Sequence, residues 1–320
     1  MGLPGGVTVR CRTLQHVARR VALDNRGGRG RQLQIAAAAG TWQGRVRRVT
    51  GSGNKQRMQG LAKKPTWVVD KERARRAAAA ETVWLFGLHA VRDALLNPAR
   101  AKLRLVLTKN AEDKLHDAIA ASGLTPEIAD PRKFTVPLDP GSVHQGAALE
   151  VKPLDWGRLE DVALAEGPFA PRLVLLDQVT DPHNVGAILR SAEVFGARAV
   201  IAPARHAAPE TGALAKTASG ALERQPYLRV QNLGNAIETL QGMGYVCLGL
   251  DGEAEAEIGT LAAGLTDRPL ALVLGAEGPG LRARTRDLCD KLVKIPSSGG
   301  FGSLNVSNAA AVALYAITRP

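Results

Sequence analysis

From Leu173 onward the chain alternates short, continuous apolar runs with amphipathic stretches. The runs at 173–176, 199–202, 245–250, 270–274 and 292–295 are too short for helices and lack the polar alternation of half-exposed strands. They predict strands of a parallel sheet covered on both faces. Between them, 185–195, 233–241 and 309–317 place apolar residues at helical spacing. This alternation predicts an α/β domain over residues 171–320.

Upstream the pattern is smaller in scale. Order is expected from Thr82. Residues 87–97 put Leu88, Val91 and Leu95 at helical spacing, and Pro98 ends the run. Residues 103–107 and 146–151 read as strands and 111–121 as a helix, giving a compact α/β unit over 81–154. Pro153, Gly157, Gly167, Pro168 and Pro171 mark 155–170 as a linker. Residues 1–80 show no sustained periodicity, and stretches such as 25–31 and 51–55 are rich in Gly, Arg and Asn. Such a composition buries too little apolar surface to offset chain entropy, so a basic, disordered extension is expected there. A short basic helix at 71–80 is expected within it, and Met58 is an alternative start.

Composition sharpens this picture. Of 320 residues 45% are apolar but only 4% aromatic, so a sizeable core must be built from Ala, Val, Leu and Ile. The net charge of +12 is unevenly placed. Residues 1–80 hold 18 basic and 3 acidic side chains, a net of +15, and the remaining 240 carry −3. That asymmetry describes a nucleic-acid arm or a solvated tail ahead of a near-neutral body. Cys11, Cys247 and Cys289 form no CxxC pair, which excludes a disulfide scaffold or Cys-based zinc site and agrees with a reducing cytoplasm. The histidines show no metal-ligand spacing, so no metal is expected. Residues 295–318 are uncharged, but their apolar part, 309–317, falls short of the ~20 residues of a membrane span.

Three segments depart from this bland pattern, and each follows a predicted strand, where open α/β sheets collect ligands. In 177–191 the stripe Val185, Ile188, Leu189, Ala192, Phe195 is core, and Asn184 stands where the helix is expected to begin. It reads as an N-cap or as a site residue. Gly186 so near a helix start costs stability, for which close approach of a ligand is a reason. Arg190 then reads as a phosphate contact, or as an ordinary surface arginine. The second segment, 274–281, has GxxGxG spacing, neither a dinucleotide nor a Walker loop, with Glu277 set between glycines. The third, 295–308, carries Ser303, Asn305, Ser307 and Asn308, more polar groups than one cap requires.

Taken together, the three segments resemble the motifs of the SpoU (TrmH-like) family of RNA ribose 2′-O-methyltransferases, in the SPOUT superfamily. The family's Asn-x-Gly-x-x-x-Arg is matched by Asn184, Gly186 and Arg190. Its Gly-x-Glu-Gly is matched by Gly275, Glu277 and Gly278. Its Ile-Pro and Ser-Leu-Asn-Val-Ser are matched by Ile295, Pro296 and Ser303–Ser307. Ser297 departs from the Met usual after the Ile-Pro pair. In the small unit, Gly87-Leu-His89-Ala-Val91, Val143-His-Gln-Gly146 and Val151-Lys-Pro153 resemble the L30e-like RNA-binding domain of longer members.

The resemblance implies a sheet domain closed by a trefoil knot, S-adenosylmethionine as cofactor, and a homodimer sharing the site. Backbone around Gly275, Ile295 and Leu304 would hold the cofactor. Arg190 is the implied key catalytic residue, with Asn184, Glu277, Ser303 and Asn305 orienting it, the ribose and the cofactor. A guanidinium carries only donors, so positioning an RNA phosphate suits Arg190 better than the base role the family proposes for it. The implied partner is RNA, with a guanosine of 23S ribosomal RNA ranked ahead of transfer RNA. A non-catalytic RNA-binding or ribosome-assembly protein is the remaining alternative.

Overall fold

The computed structural model describes residues 82–139, 141–164, 169–298 and 304–318. The expected basic extension over 1–80, with its short helix, lies outside the described residues.

The small unit is a four-stranded sheet of β1 (Val83–Phe86), β2 (Lys102–Leu107), β3 (Glu127–Ile128) and β4 (Ala147–Val151), in the order β1-β4-β2-β3. β4 is antiparallel to both β1 and β2, and β3 is parallel to β2. Helix α1 (Leu88–Leu96) buries Val91 and Leu95 of the expected stripe together with Ala90 and Ala94, while Leu88 is only partly buried. Helix α2 (Lys109–Ser122) buries Ala111, Leu115 and Ala118, and ends where Gly123 turns left-handed. β1 has only four residues, too few to show a period, and was not predicted.

The larger sheet holds β5 (Arg172–Asp177), β6 (Ala199–Pro203), β7 (Tyr227–Val230), β8 (Val246–Leu250), β9 (Ala256–Glu257), β10 (Leu270–Gly275) and β11 (Lys291–Lys294). Its order is β7-β6-β5-β10-β8-β11-β9, and every pairing is parallel. Around it lie α3 (Leu159–Ala163), α4 (Pro182–Val194), α5 (Gly212–Ala218), α6 (Leu233–Gly242), α7 (Ile258–Ala263), α8 (Ala283–Leu288) and α9 (Val306–Thr318).

The unbroken apolar runs follow from this two-sided cover. Val174, Leu176, Val200, Ala202, Leu272 and Leu274 pack with Ile188 and Leu189 of α4 and Ala310 and Leu314 of α9. Their alternate neighbours Leu173, Leu175, Ala199, Ile201, Ala271 and Val273 pack with Leu233, Ile237 and Leu240 of α6 on the other face. The segment 155–170, read as a linker, contains α3. Ala163 is buried in the α6-side cluster, with Trp156, Leu159 and Val162 packed against it. Flanking Pro and Gly marked the segment's limits but hid a five-residue helix.

From β5 the chain moves outward to β6 and β7, then continues on the other side of β5. That reversal opens a crevice at the carboxyl ends of β5 and β10. Among the described residues no helix is long and apolar enough to cross a membrane.

Candidate functional site

β5 and β10 end in register at Asp177 and Gly275. Asp177 is fully buried and accepts hydrogen bonds from Arg282 Nε at 2.7 Å and Arg282 N at 3.0 Å. This pair pins the chain after β10 to the end of β5. Ala276 and Gly280 exchange backbone hydrogen bonds of 3.1 and 3.0 Å, closing a tight turn over the residues between them. Gly278 and Gly280 adopt φ of +81° and +70°, and a Cβ on Gly275 would stand 2.1 Å from the Gly280 carbonyl carbon. These glycines serve the turn that projects Glu277.

On that projected carboxylate the three motif segments converge. Asn184 Nδ2 donates to Glu277 Oε1 at 3.0 Å. Asn305 Nδ2 donates to the same oxygen at 2.5 Å and to Asn184 Oδ1 at 3.0 Å. Asn305 Oδ1 accepts from Ser307 N at 2.9 Å and Ser307 Oγ at 2.6 Å, at the start of α9. Asn305 thus orders the helix start with its oxygen and the cluster with its nitrogen.

Beside the cluster lies a cleft of about 570 Å³ lined by Gly275, Glu277, Ile295 and Leu304, all singled out in the sequence. Leu250, Asp251, Glu253 and Arg286 also line it, and the sequence pattern did not single them out. The first three end or follow β8, so the strand-end rule that located the other segments also points to them. The Asp251 carboxylate accepts from Glu253 N at 2.9 Å and pairs with Arg286 at 2.8 Å. A larger cavity of about 1050 Å³ lies between the small unit and the sheet domain and includes none of the cluster residues. Burial pushes the Cys247 and Cys289 thiols up to about 12, so neither offers a thiolate nucleophile at neutral pH.

Three expectations need correction or completion. The cap of α4 is Asp181, whose side chain accepts from His183 N at 3.0 Å, with Pro182 in the first turn. Asn184 is not the cap; it sits inside that turn, buried, with its amide turned to Glu277. Gly186 is not opened to a ligand. A Cβ there would lie 2.7 Å from Leu214 O and 2.8 Å from Thr217 Cβ, so the close approach is that of α5. Arg190 is exposed and has no hydrogen-bond or ion-pair partner among the described residues. Six residues beyond Asn184, it is about 9 Å farther along the helix and about a third of a turn round, outside the cluster. Ser303 lies outside the described residues.

Residues 171–315 match the SpoU rRNA Methylase family, and residues 84–156 match an RNA 2′-O ribose methyltransferase substrate-binding domain. The chain is 41% identical over 240 residues to the 23S rRNA (guanosine-2′-O-)-methyltransferase RlmB of Photobacterium profundum, covering 73% of this chain and 96% of that one. Against the Escherichia coli K12 protein of the same name the identity is 39% over 244 residues, 73% and 97% of the two chains. The fold is similar to the crystal structure of the SpoU methyltransferase AviRb from Streptomyces viridochromogenes in complex with the cofactor AdoMet. There the TM-score is 0.64 at 24% identity, over 77% of this chain and 92% of that one.

Proposed function

Because the chain belongs to the SpoU rRNA methylase family, we propose that it methylates the ribose 2′-hydroxyl of a guanosine in 23S ribosomal RNA, using S-adenosylmethionine. The observation that carries this reading is the meeting of Asn184, Asn305 and Glu277 on one carboxylate oxygen beside the cleft.

The cleft suits the cofactor. Its volume is that of a small-molecule site, and its wall combines Leu250, Ile295 and Leu304 with the carboxylates of Asp251 and Glu253. Such carboxylates suit a ligand bearing hydroxyls and a positive charge. When bound, the cofactor supplies an electrophilic methyl on a sulfonium whose leaving group is neutral. Gly275, Ile295 and Leu304 are assigned to holding it. Asn184 and Asn305 occupy Glu277 Oε1, which leaves Oε2, without a partner among the described residues, for the ribose hydroxyl. Glu277 thereby orients that hydroxyl and accepts its proton, aided by Ser303 as the family's motif implies. Arg190, a pure donor, is assigned to the RNA phosphate.

The active form is a homodimer. Val194, Val312 and Tyr315 are 72%, 43% and 44% exposed on α4 and α9, an apolar strip that a second copy would cover. Arg190 lies one helical turn before Val194 on the same face. Covering the strip would bring Arg190 toward the other copy's cluster. Two remaining domain assignments and the location follow the family: an L30e-like domain over 81–154, a knotted methyltransferase domain over 171–320, and action in the cytoplasm; the net charge of +15 over residues 1–80 supports an RNA-binding arm there.

The test is labelled-methyl transfer by the full chain to 23S ribosomal RNA and to transfer RNA. A labelled guanosine 2′-hydroxyl in 23S RNA is the expected product. Transfer-RNA methylation without a ribosomal product overturns the substrate, and no transfer to either overturns the reaction.

A further inference from the structure

The two RNA-related units do not merely adjoin; a buried ionic cluster joins them. Arg100 follows α1 in the substrate-binding unit, and its side chain is completely buried. Its Nε and Nη2 donate to Glu223 Oε2 and Oε1 at 2.9 and 2.7 Å, a two-pronged contact with the turn after α5. Its Nη1 donates to Glu210 Oε1 at 2.6 Å, just before α5, and to Lys152 O at 2.9 Å. Asn97 Nδ2 adds bonds of 2.9 Å to Glu223 Oε2 and 3.2 Å to Glu223 O. One arginine thus grips both ends of α5 from the other unit.

The backbone of α5 is shaped for the same contact. A Cβ on Gly212 would lie 2.4 Å from Trp84 O and Phe86 Cδ1 of β1, and one on Gly220 would lie 1.7 Å from Asp93 Oδ2 of α1. Arg224 closes the seam, bonding Asp93 at 2.8 Å and also Glu193 of α4. The seam continues to the site through α4. Gly186, two residues past Asn184, seats directly against Leu214, Thr217 and Ala218 of α5.

We propose that Arg100 is a positioning residue, locking the substrate-binding unit onto the α5–α4 pair so that recognised RNA meets the methyl-transfer cluster at one fixed distance and angle. This rests on the function proposed above. Isolated buried ion pairs are poor sources of stability, but their demanding geometry can set one arrangement. The segment 155–170 alone supplies a tether, which raises effective concentration without fixing orientation. The lock supplies the orientation.

The test uses the full-length chain and a paired variant in which Arg100→Met is matched by Glu210→Gln and Glu223→Gln, which removes the grip without leaving any of the three charges stranded. Arg100→Lys is the conservative partner. Labels carried by unnatural amino acids at the exposed positions Asp117 and Glu238 report the distance between the units without any RNA. One narrow distribution is expected for the wild type and a broad one for the paired variant, with Arg100→Lys intermediate. A paired variant that stays narrow overturns the lock. Turnover is then compared on a long structured 23S fragment and on a short RNA carrying the target alone. The paired variant should lose about tenfold or more in kcat/KM on the long fragment, because the grip that fixes orientation is gone while the tether remains. Its kcat on the short RNA and its affinity for S-adenosylmethionine should stay within about twofold. An unchanged ratio of long to short RNA in a variant whose units have loosened overturns the positioning role. If the wild type methylates no RNA, the proposed function fails, and the distance distribution still decides whether Arg100 holds the units.

Discussion

The sides of the site that we assign to the methyl donor and to the RNA differ in how much one chain supplies. On the donor side, from which Glu277 faces the ribose, three segments up to 121 residues apart lock onto one carboxylate oxygen, and the adjoining cleft is walled by the ends of β8, β10 and β11. On the substrate side, Arg190 stands exposed and unpartnered among the described residues. A preorganised donor side spares reorganisation during methyl transfer. The substrate side needs RNA, and on our reading a second protomer, to finish it.

The sharpest way to break this division is Arg190→Ala. Removing one contact to developing or transferred charge should cost about 10²–10³ in turnover, whereas S-adenosylmethionine affinity should stay within about twofold. Single-turnover methyl transfer and calorimetric titration of the cofactor, on the same preparation, give the two numbers. A variant that turns over normally removes Arg190 from the reaction. One that loses cofactor affinity places it on the donor side.

A second substitution tests packing against ligand approach at Gly186. Alanine is the better helix former by up to about 1 kcal/mol. Its methyl would nevertheless meet Leu214 O and Ala218 N, backbone atoms that cannot swing aside, at 2.7 and 3.0 Å. Overpacking of this kind costs about 1–3 kcal/mol, so Gly186→Ala should unfold at lower temperature. Cofactor affinity of the folded protein should be unchanged. A raised melting temperature with lost cofactor binding would restore the ligand-approach reading.

The same contrast separates what the sequence made legible from what it hid. Strands buried on both faces, such as 173–176 and 270–274, announce themselves as continuous apolar runs. The rule that ligands collect at their carboxyl ends then led to Asn184, Glu277 and Asn305. β7, with the pattern YLRV, and the six- and seven-residue helices α5, α7 and α8 are too short to establish a period. They were missed. Arg100 could not be read at all. Its partners lie 110 and 123 residues away, and an arginine followed by alanine and lysine looks like any solvated surface. Gly186 was noticed as costly in the right place, but only the neighbouring helix reveals its cause. Local pattern exposes elements and loop chemistry, while contacts between units appear only once the chain is folded.

The smallest expected effect separates the two polar residues at the start of α4. Asp181 accepts from His183 N and, among the described residues, has no tie to the cluster, whereas Asn184 donates to Glu277. Loss of an N-cap costs about 0.5–2 kcal/mol, which for a domain of this size lowers the melting temperature by a few degrees. Asp181→Ala should show that drop and keep its turnover when assayed well below the transition. Asn184→Ala should show the reverse emphasis, because Glu277 loses one of the two amides that fix its carboxylate, and turnover falls while the cap remains. Melting curves and methyl-transfer rates for both variants decide the assignment. Equal losses of turnover would mean that the first turn of α4 acts as one unit, with the cap itself holding Asn184 in place against Glu277.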